Sequence, residues 1–194
     1  MWARPNEVLL GCRSTLSLVE TLDSRRVYEN PWVSVREDTV RRADGSTGIY
    51  AVVDTADIAL VIPRDGDRFQ LVEQYRYPVA SRRWEFPSGS AEPSDDSDPA
   101  VSARRELKEE TGLLASHLIV LGTLDVTPSM VAHRCTVFLA TELSVGEPAR
   151  DPSEQGMRSA WFTRTEIDGM IRDGHLVDAK SIAALTLLSL SAAM

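Results

Sequence analysis

The chain has 194 residues, enough for one domain with a real core and a small appendage, and its 43% apolar and 26% charged residues describe an ordinary globular protein. A formal net charge of −8 argues against general nucleic-acid binding, and no apolar run approaches membrane-spanning length. The early apolar patch Val8-Leu9-Leu10 is too short for a secretion-signal core, and Cys12 and Cys135 make no metal-type pair, so a reducing cytoplasmic setting is expected.

Residues 1–25 are weakly patterned. Trp32 to Val40 reads as a strand, Asp44-Gly45 as a turn, and Ile49 to Val53 as the returning strand. The compact apolar run Ala59 to Pro63 predicts a buried strand. Asp65-Gly66-Asp67 turns the chain into a further strand, Phe69 to Arg76. Trp84-Glu85-Phe86 is a short strand ended by Pro87, and Ser88 to Ser97 is a loop rich in Ser, Asp and Pro. A helix then begins with Asp98 as N-cap and Pro99 at its first position. Ala100, Ala103, Leu107 and Thr111 face inward at helical spacing, and Gly112 supplies the stop. Strands follow at His117 to Leu124 and Cys135 to Ala140. A polar loop spans Gly146 to Gly156, Ser159 to Phe162 is a short strand, and Thr163 to Arg172 and Ala179 to Leu190 read as helices. This alternation predicts an α+β fold, and the pattern alone dictates no topology.

Chemistry concentrates in the run Arg105-Glu106-Leu107-Lys108-Glu109-Glu110-Thr111-Gly112-Leu113. On a helix, Glu106 lies three residues from Glu109 and four from Glu110, so the three carboxylates share a face. Like charges at that spacing repel, and a hard divalent cation, Mg2+ or Mn2+, would offset the repulsion. A solvated face balanced by Arg104, Arg105 and Lys108 is the plainer alternative.

The run resembles the second half of the Nudix box, the signature of hydrolases that cleave a nucleoside diphosphate linked to another group X. Arg105 to Leu113 matches it at every fixed position. In the first half the box Glu falls on Ser97 and the box Gly on Ala91; Gly89 is the nearest usable glycine, and the loop reads about two residues long. Asp95, Asp96 or Asp98 stand as substitutes for the box Glu. Glu73-Gln74-Tyr75-Arg76 with Trp84 to Gly89, Asn30 to Val33, Pro128 fifteen residues after the box, and Ile171 to Ser181 are all similar to the ADP-ribose pyrophosphatase branch. Two stretches depart from that branch: Pro128 to Arg134 is bulkier and more basic, and Asp151 to Met157 carries only Glu154 close before Met157.

The resemblance implies a Nudix-type mixed β-sheet sandwiched between helices, with residues 1–55 as an arm and β-hairpin extension and 56–194 as the hydrolase domain. It implies metal-dependent cleavage of a pyrophosphate, with ADP-ribose giving AMP and ribose 5-phosphate. Another nucleotide sugar, a dinucleotide, or non-catalytic ADP-ribose binding are the alternatives. Glu106 and Glu110 are the expected metal ligands, with Glu109 sharing a second ion and the Ser88 main-chain carbonyl adding a donor. Arg105 would hold the loop or the carboxylates. Arg76 would clamp phosphate, Glu85 and Pro128 would line the substrate, and Glu154 would be the general base, with Glu109 next in line. Trp32 would stack on adenine or serve the core or a dimer interface. His133 reads as a loop histidine. Arg82 and Arg83 read as surface charges, with Arg82 the weaker substrate candidate. The partners expected are a nucleoside diphosphate-linked small molecule and a second copy of the chain, with the hairpin around Trp32 to Val53 at the interface, and neither nucleic acid nor membrane.

Overall fold

The computed structural model describes residues 18–92, 98–146 and 156–191. It divides into two compact units, Met1–Asp54 and Thr55–Met194. The first is an antiparallel sheet in the order β1 (Val19–Glu29), β2 (Ser34–Arg42), β3 (Thr47–Asp54). Its β2–β3 turn contains Gly45 at φ 82, in the left-handed region that glycine tolerates. The strand β1 falls where the sequence shows little patterning. Every one of its residues is exposed, so no apolar alternation marks it. Arg36 pairs with Asp38 on its own strand and with Asp54 on β3, and hydrogen bonds from Ser24 and then Arg36 hold the Asp38 carboxyl below the usual range.

The second unit is built on a seven-stranded sheet. Its path runs β10 (Arg158–Thr163), β5 (Arg68–Arg76), β4 (Ile58–Asp65), β9 (Arg134–Val145), β8 (Leu113–Asp125). Two short strands leave that path: β6 (Ser81–Glu85) pairs with β5, and β7 (Ser88–Ser90) pairs with β4. The β4–β9 pair is parallel and the others are antiparallel, so the sheet is mixed.

Strand period two divides the core into two faces. Leu60 and Ile62 of β4, with Val137 and Leu139 of β9, pack against Ile167, Leu185 and Leu188. Those last three come from α2 (Arg164–Arg172) and α3 (Ala179–Leu190). Ala59, Val61, Phe138 and Ala140 point the other way, onto Ala103 and Leu107 of α1 (Pro99–Thr111). With helices on both faces, the central strands read as continuous apolar runs.

Local sequence sets the helix ends. Asp98 accepts from the Ala100 N–H, Pro99 sits where its missing donor costs nothing, and Gly112 closes α1 at φ 74. Thr163 and Glu166 form a reciprocal capping box on α2, and Asp178 caps α3. Gly112 turns α1 directly into β8, which therefore begins at Leu113 rather than at His117.

Glu73 on β5 is 7% exposed and pairs with Arg158 at 2.5 Å and Arg82 at 2.6 Å. Hydrogen bonding from Arg158, opposed in part by burial and joined by Arg82, holds its carboxyl below the ordinary glutamate value. A depressed carboxyl contributes stability above its unfolded value and loses it as pH falls through the folded one. Glu73→Gln is expected to cost about 1–2 kcal/mol at neutral pH, a modest figure because solvent screens Arg158. The gap between the two proteins should close under acid. Urea unfolding at pH 7 and pH 3 checks this, and an equal gap at both values would assign the loss to packing rather than charge.

Candidate active site

The carboxylate face of α1 is turned toward the short strand β7. Glu106 is 6% exposed and Glu110 is 2% exposed, so both carboxylates are taken out of bulk water. Glu110 Oε2 accepts the Ser88 N–H at 3.2 Å. A Cβ built on Gly89 would stand 2.0 Å from Glu106 Oε1, so only glycine lets the main chain come this close to that carboxylate. β7 is held there by its pairing with β4, Ser88 opposite Leu60 and Gly89 opposite Ala59.

Arg105 gathers the rest. Its Nη1 reaches Glu106 at 2.7 Å and Glu109 at 3.0 Å, and its Nη2 donates to the Ser90 carbonyl at 2.9 Å. Glu92 approaches the same guanidinium at 3.4 Å. Glu92 is a member of this cluster that the sequence reading missed, because counting back from the box placed the supporting carboxylate at Ser97. Of the proposed substitutes, Asp98 spends its side chain on the α1 cap, while Asp95 and Asp96 lie outside the described residues.

A second cluster spans the antiparallel β5–β6 pair, from Arg76 at the end of β5 to Glu85 at the end of β6. Arg76 donates to Glu85 through Nε at 2.9 Å and Nη2 at 2.8 Å, a two-point pairing. Burial works against the Arg76 charge, but Glu85 more than offsets it, with Glu110 and Asp178 adding to the effect, and the guanidinium lies above its ordinary value. Lys180 stands 3.6 Å from Glu85 and 3.3 Å from Asp178. The Phe86 N–H donates to Ser181 Oγ at 2.8 Å, and Ser181 in turn donates to Asp178, so the start of α3 is tied to the strand that carries Glu85. A cavity of about 320 Å³ opens here, lined by Arg76, Arg83, Glu85, Val79, Val177 and Lys180 among others.

The structure thus gathers Glu106, Glu109, Glu110, Arg105 and Ser88 at α1, and Arg76 with Glu85 beside them. Pro128 stands exposed in the turn between β8 and β9, and Trp32 is 81% exposed in the first unit. Glu154 lies outside the described residues. His133 Nδ1 is 2.6 Å from Thr55 Oγ1. Arg82, the weaker substrate candidate, is taken up by Glu73 and the Gly156 carbonyl, and it is Arg83 that lines the cavity.

The donors around Glu106 and Glu110 are carboxylate and main-chain oxygens, the set that suits a hard divalent cation. No three His, Cys, Asp or Glu side chains form a ready-made cage among the described residues. Two carboxylates nevertheless fit an ion that keeps several waters, as Mg2+ does.

A Nudix domain profile matches residues 54–185. The chain belongs to the Nudix family. Residues 19–53 match the N-terminal domain of nucleoside diphosphate sugar hydrolases. The chain is 32% identical over 168 residues to an ADP-ribose pyrophosphatase of Mycobacterium tuberculosis, covering 86% of this chain and 81% of that protein. It is 25% identical over 177 residues to an ADP-ribose pyrophosphatase of Bacillus subtilis, covering 90% and 95%. A solved structure of an ADP compounds hydrolase shares the fold with a TM-score of 0.79 at 21% identity, covering 88% of this chain and 92% of that one. The mixed sheet between helices expected from the sequence is the Nudix fold observed. No helix among the described residues is long and apolar enough to cross a membrane.

The Gly89–Glu106 approach generates a specific expectation. The atoms a new Cβ would strike are the far end of a flexible side chain, so Gly89→Ala should fold but displace the Glu106 carboxylate. Binding of Mg2+ or Mn2+ should weaken by about tenfold or more with little change in Tm. Calorimetric metal titration alongside thermal unfolding checks this; unchanged affinity would show that Glu106 does not need its present position.

Proposed function

We propose that this chain hydrolyses the pyrophosphate of a nucleoside diphosphate derivative, ADP-ribose first among them, with AMP and ribose 5-phosphate as products. The observation that carries the reading is the pair of buried carboxylates, Glu106 and Glu110, one helical turn apart against the Ser88–Gly89 main chain. The relatives named for ADP-ribose support the substrate.

In this reading Glu106 and Glu110 hold a divalent cation, with Glu109 and the Ser88 carbonyl as further donors. Mg2+ or Mn2+ bound there would supply charge neutralisation and polarise a phosphoryl oxygen. Arg105 fixes the carboxylates, since one guanidinium touches Glu106, Glu109 and the Ser90 carbonyl. Arg76 takes a phosphate oxygen on the edge that Glu85 leaves open. The sheet and α1 supply rigid elements on which water and phosphorus can be held in line. Water adds its hydroxyl to one phosphorus, the bridging P–O bond breaks, and the proton passes to a base. From the sequence, that base is Glu154, and Trp32 and Pro128 contact the rest of the substrate.

Glu106→Gln and Glu110→Gln should each remove most activity while leaving the protein folded, and chelation should do the same to the native protein. Product chromatography after incubation with ADP-ribose and Mg2+ or Mn2+ reads the outcome. Full turnover after thorough chelation would overturn the mechanism. Glu154→Gln should lower kcat by about 100-fold with little change in KM.

The first unit supports a homodimer. Its sheet exposes Tyr28, Val27, Ile49 and Tyr50, and only Asp38 and Val40 are buried within it. Exposed apolar sheet surface of this kind marks a contact with another chain. Sedimentation should show a dimer at micromolar concentration, and a monomer there would overturn the assignment.

A further inference from the structure

Arg83 sets the electrostatic balance of the 320 Å³ cavity beside Arg76. Three cations line it, Arg76, Arg83 and Lys180, and two carboxylates, Glu85 and Asp178, which leaves one positive charge in excess. Arg76 is matched by Glu85 at two points, and Lys180 lies between Glu85 and Asp178. Among the described residues Arg83 pairs with no carboxylate. Its Nη1 donates to the Ser81 hydroxyl at 2.6 Å and to the Arg82 carbonyl at 3.0 Å. It is half-buried, and it stands out in a chain whose net charge is −8. A partly desolvated guanidinium with only neutral partners is a ready site for an oxyanion.

The directions of the two side chains separate that oxyanion from the pyrophosphate itself. Arg76 is paired at two points with Glu85, three residues before Ser88, whose N–H donates to Glu110, so Arg76 is the cation on the α1 side. The Arg83 guanidinium instead turns back along β6 to Ser81, four residues before Glu85, and so lies on the side away from Ser88. A pyrophosphate held at α1 and Arg76 leaves Arg83 to the group attached to it. The cavity wall is apolar as well, with Val79 57% exposed and Val177 48% exposed beside Pro78 and Ala179. That wall suits the carbon frame of a medium-sized moiety.

We propose that Arg83 is a specificity-determining residue, and that the cavity takes a group X carrying its own oxyanion, a carboxylate or a phosphate ester, on a nucleoside diphosphate. This rests on the pyrophosphatase reading and extends its substrates beyond ADP-ribose, whose terminal ribose carries no oxyanion, to acid-bearing compounds that fit this cavity better.

The test uses the full chain with Mg2+ and a matched set: ADP-glucose, ADP-glucuronic acid and ADP-glucose bearing a 6-phosphate, with ADP-ribose as reference. The acidic compounds should be preferred over ADP-glucose by about tenfold or more in kcat/KM, mainly through KM, as one charge-assisted pair provides. The two acidic arms distinguish carboxylate from phosphate. Arg83→Gln should collapse the acid-to-neutral ratio toward one, and Arg83→Lys should restore part of it. A ratio near one in the native protein would overturn the proposal. So would an Arg83→Gln variant that loses activity equally on all four compounds, which would place Arg83 on the pyrophosphate or in the fold. Turnover of none of the four would defeat the pyrophosphatase reading instead. Calorimetry on the same hexose set then decides the cavity: tighter acid binding lost in Arg83→Gln upholds it, and equal affinities overturn it.

Discussion

Several features of α1 depend on a single close approach, that of the Gly89 main chain to the Glu106 carboxylate. The distance leaves no room for a Cβ, and the contact exists only because β7 pairs with β4. β4 is in turn a central strand, parallel to β9 and apolar on both faces. The buried core therefore fixes the height of β7, β7 fixes the carboxylates, and Arg105 closes the arrangement by bridging α1 to Ser90. Carboxylates buried in this way would be costly without donors around them. The Ser88 N–H and the Arg105 guanidinium supply some of those donors, and a bound cation would add to them.

A second chain of contacts joins the far side of the sheet to the same region. Asp178 caps α3, Ser181 links that cap to the Phe86 N–H, and Lys180 reaches Glu85, which orients Arg76. A helix packed on one face thus positions a guanidinium near the helix packed on the other. Displacing α3 would loosen the Arg76–Glu85 pair without touching α1.

The two clusters were legible to different degrees. Glu106, Glu109 and Glu110 could be read because helical spacing alone puts them together. The α1 ends could be read because Asp98, Pro99 and Gly112 are the residues that caps use. β1 carried no signal, since a strand exposed along its whole length has no alternation to detect. β7 is only Ser-Gly-Ser, three residues without apolar content, and its place comes from β4 rather than from its own propensity. Glu92 was missed because the count back from the box falls on Ser97, five residues later, and spacing alone does not bring Glu92 to Arg105. Arg82 and Arg83 were adjacent cations with no phase. On a strand, neighbours face opposite ways, and the buried partner Glu73 decides which of the two is consumed.

The acidic balance of the chain and its anionic substrate class are reconciled by geometry rather than by total charge. Pairing Arg76 with Glu85 removes its net charge from the surroundings but fixes its direction. The pair holds two of the guanidinium nitrogens, Nε and Nη2, and a planar fork so held presents its remaining edge with little freedom to lose on binding. Strong, orienting pairs of this kind can sit within a chain of charge −8 because long-range field falls off within about 8–10 Å in physiological salt. What an anion beside Arg76 would meet is then set by the nearby donors rather than by the charge of the whole chain.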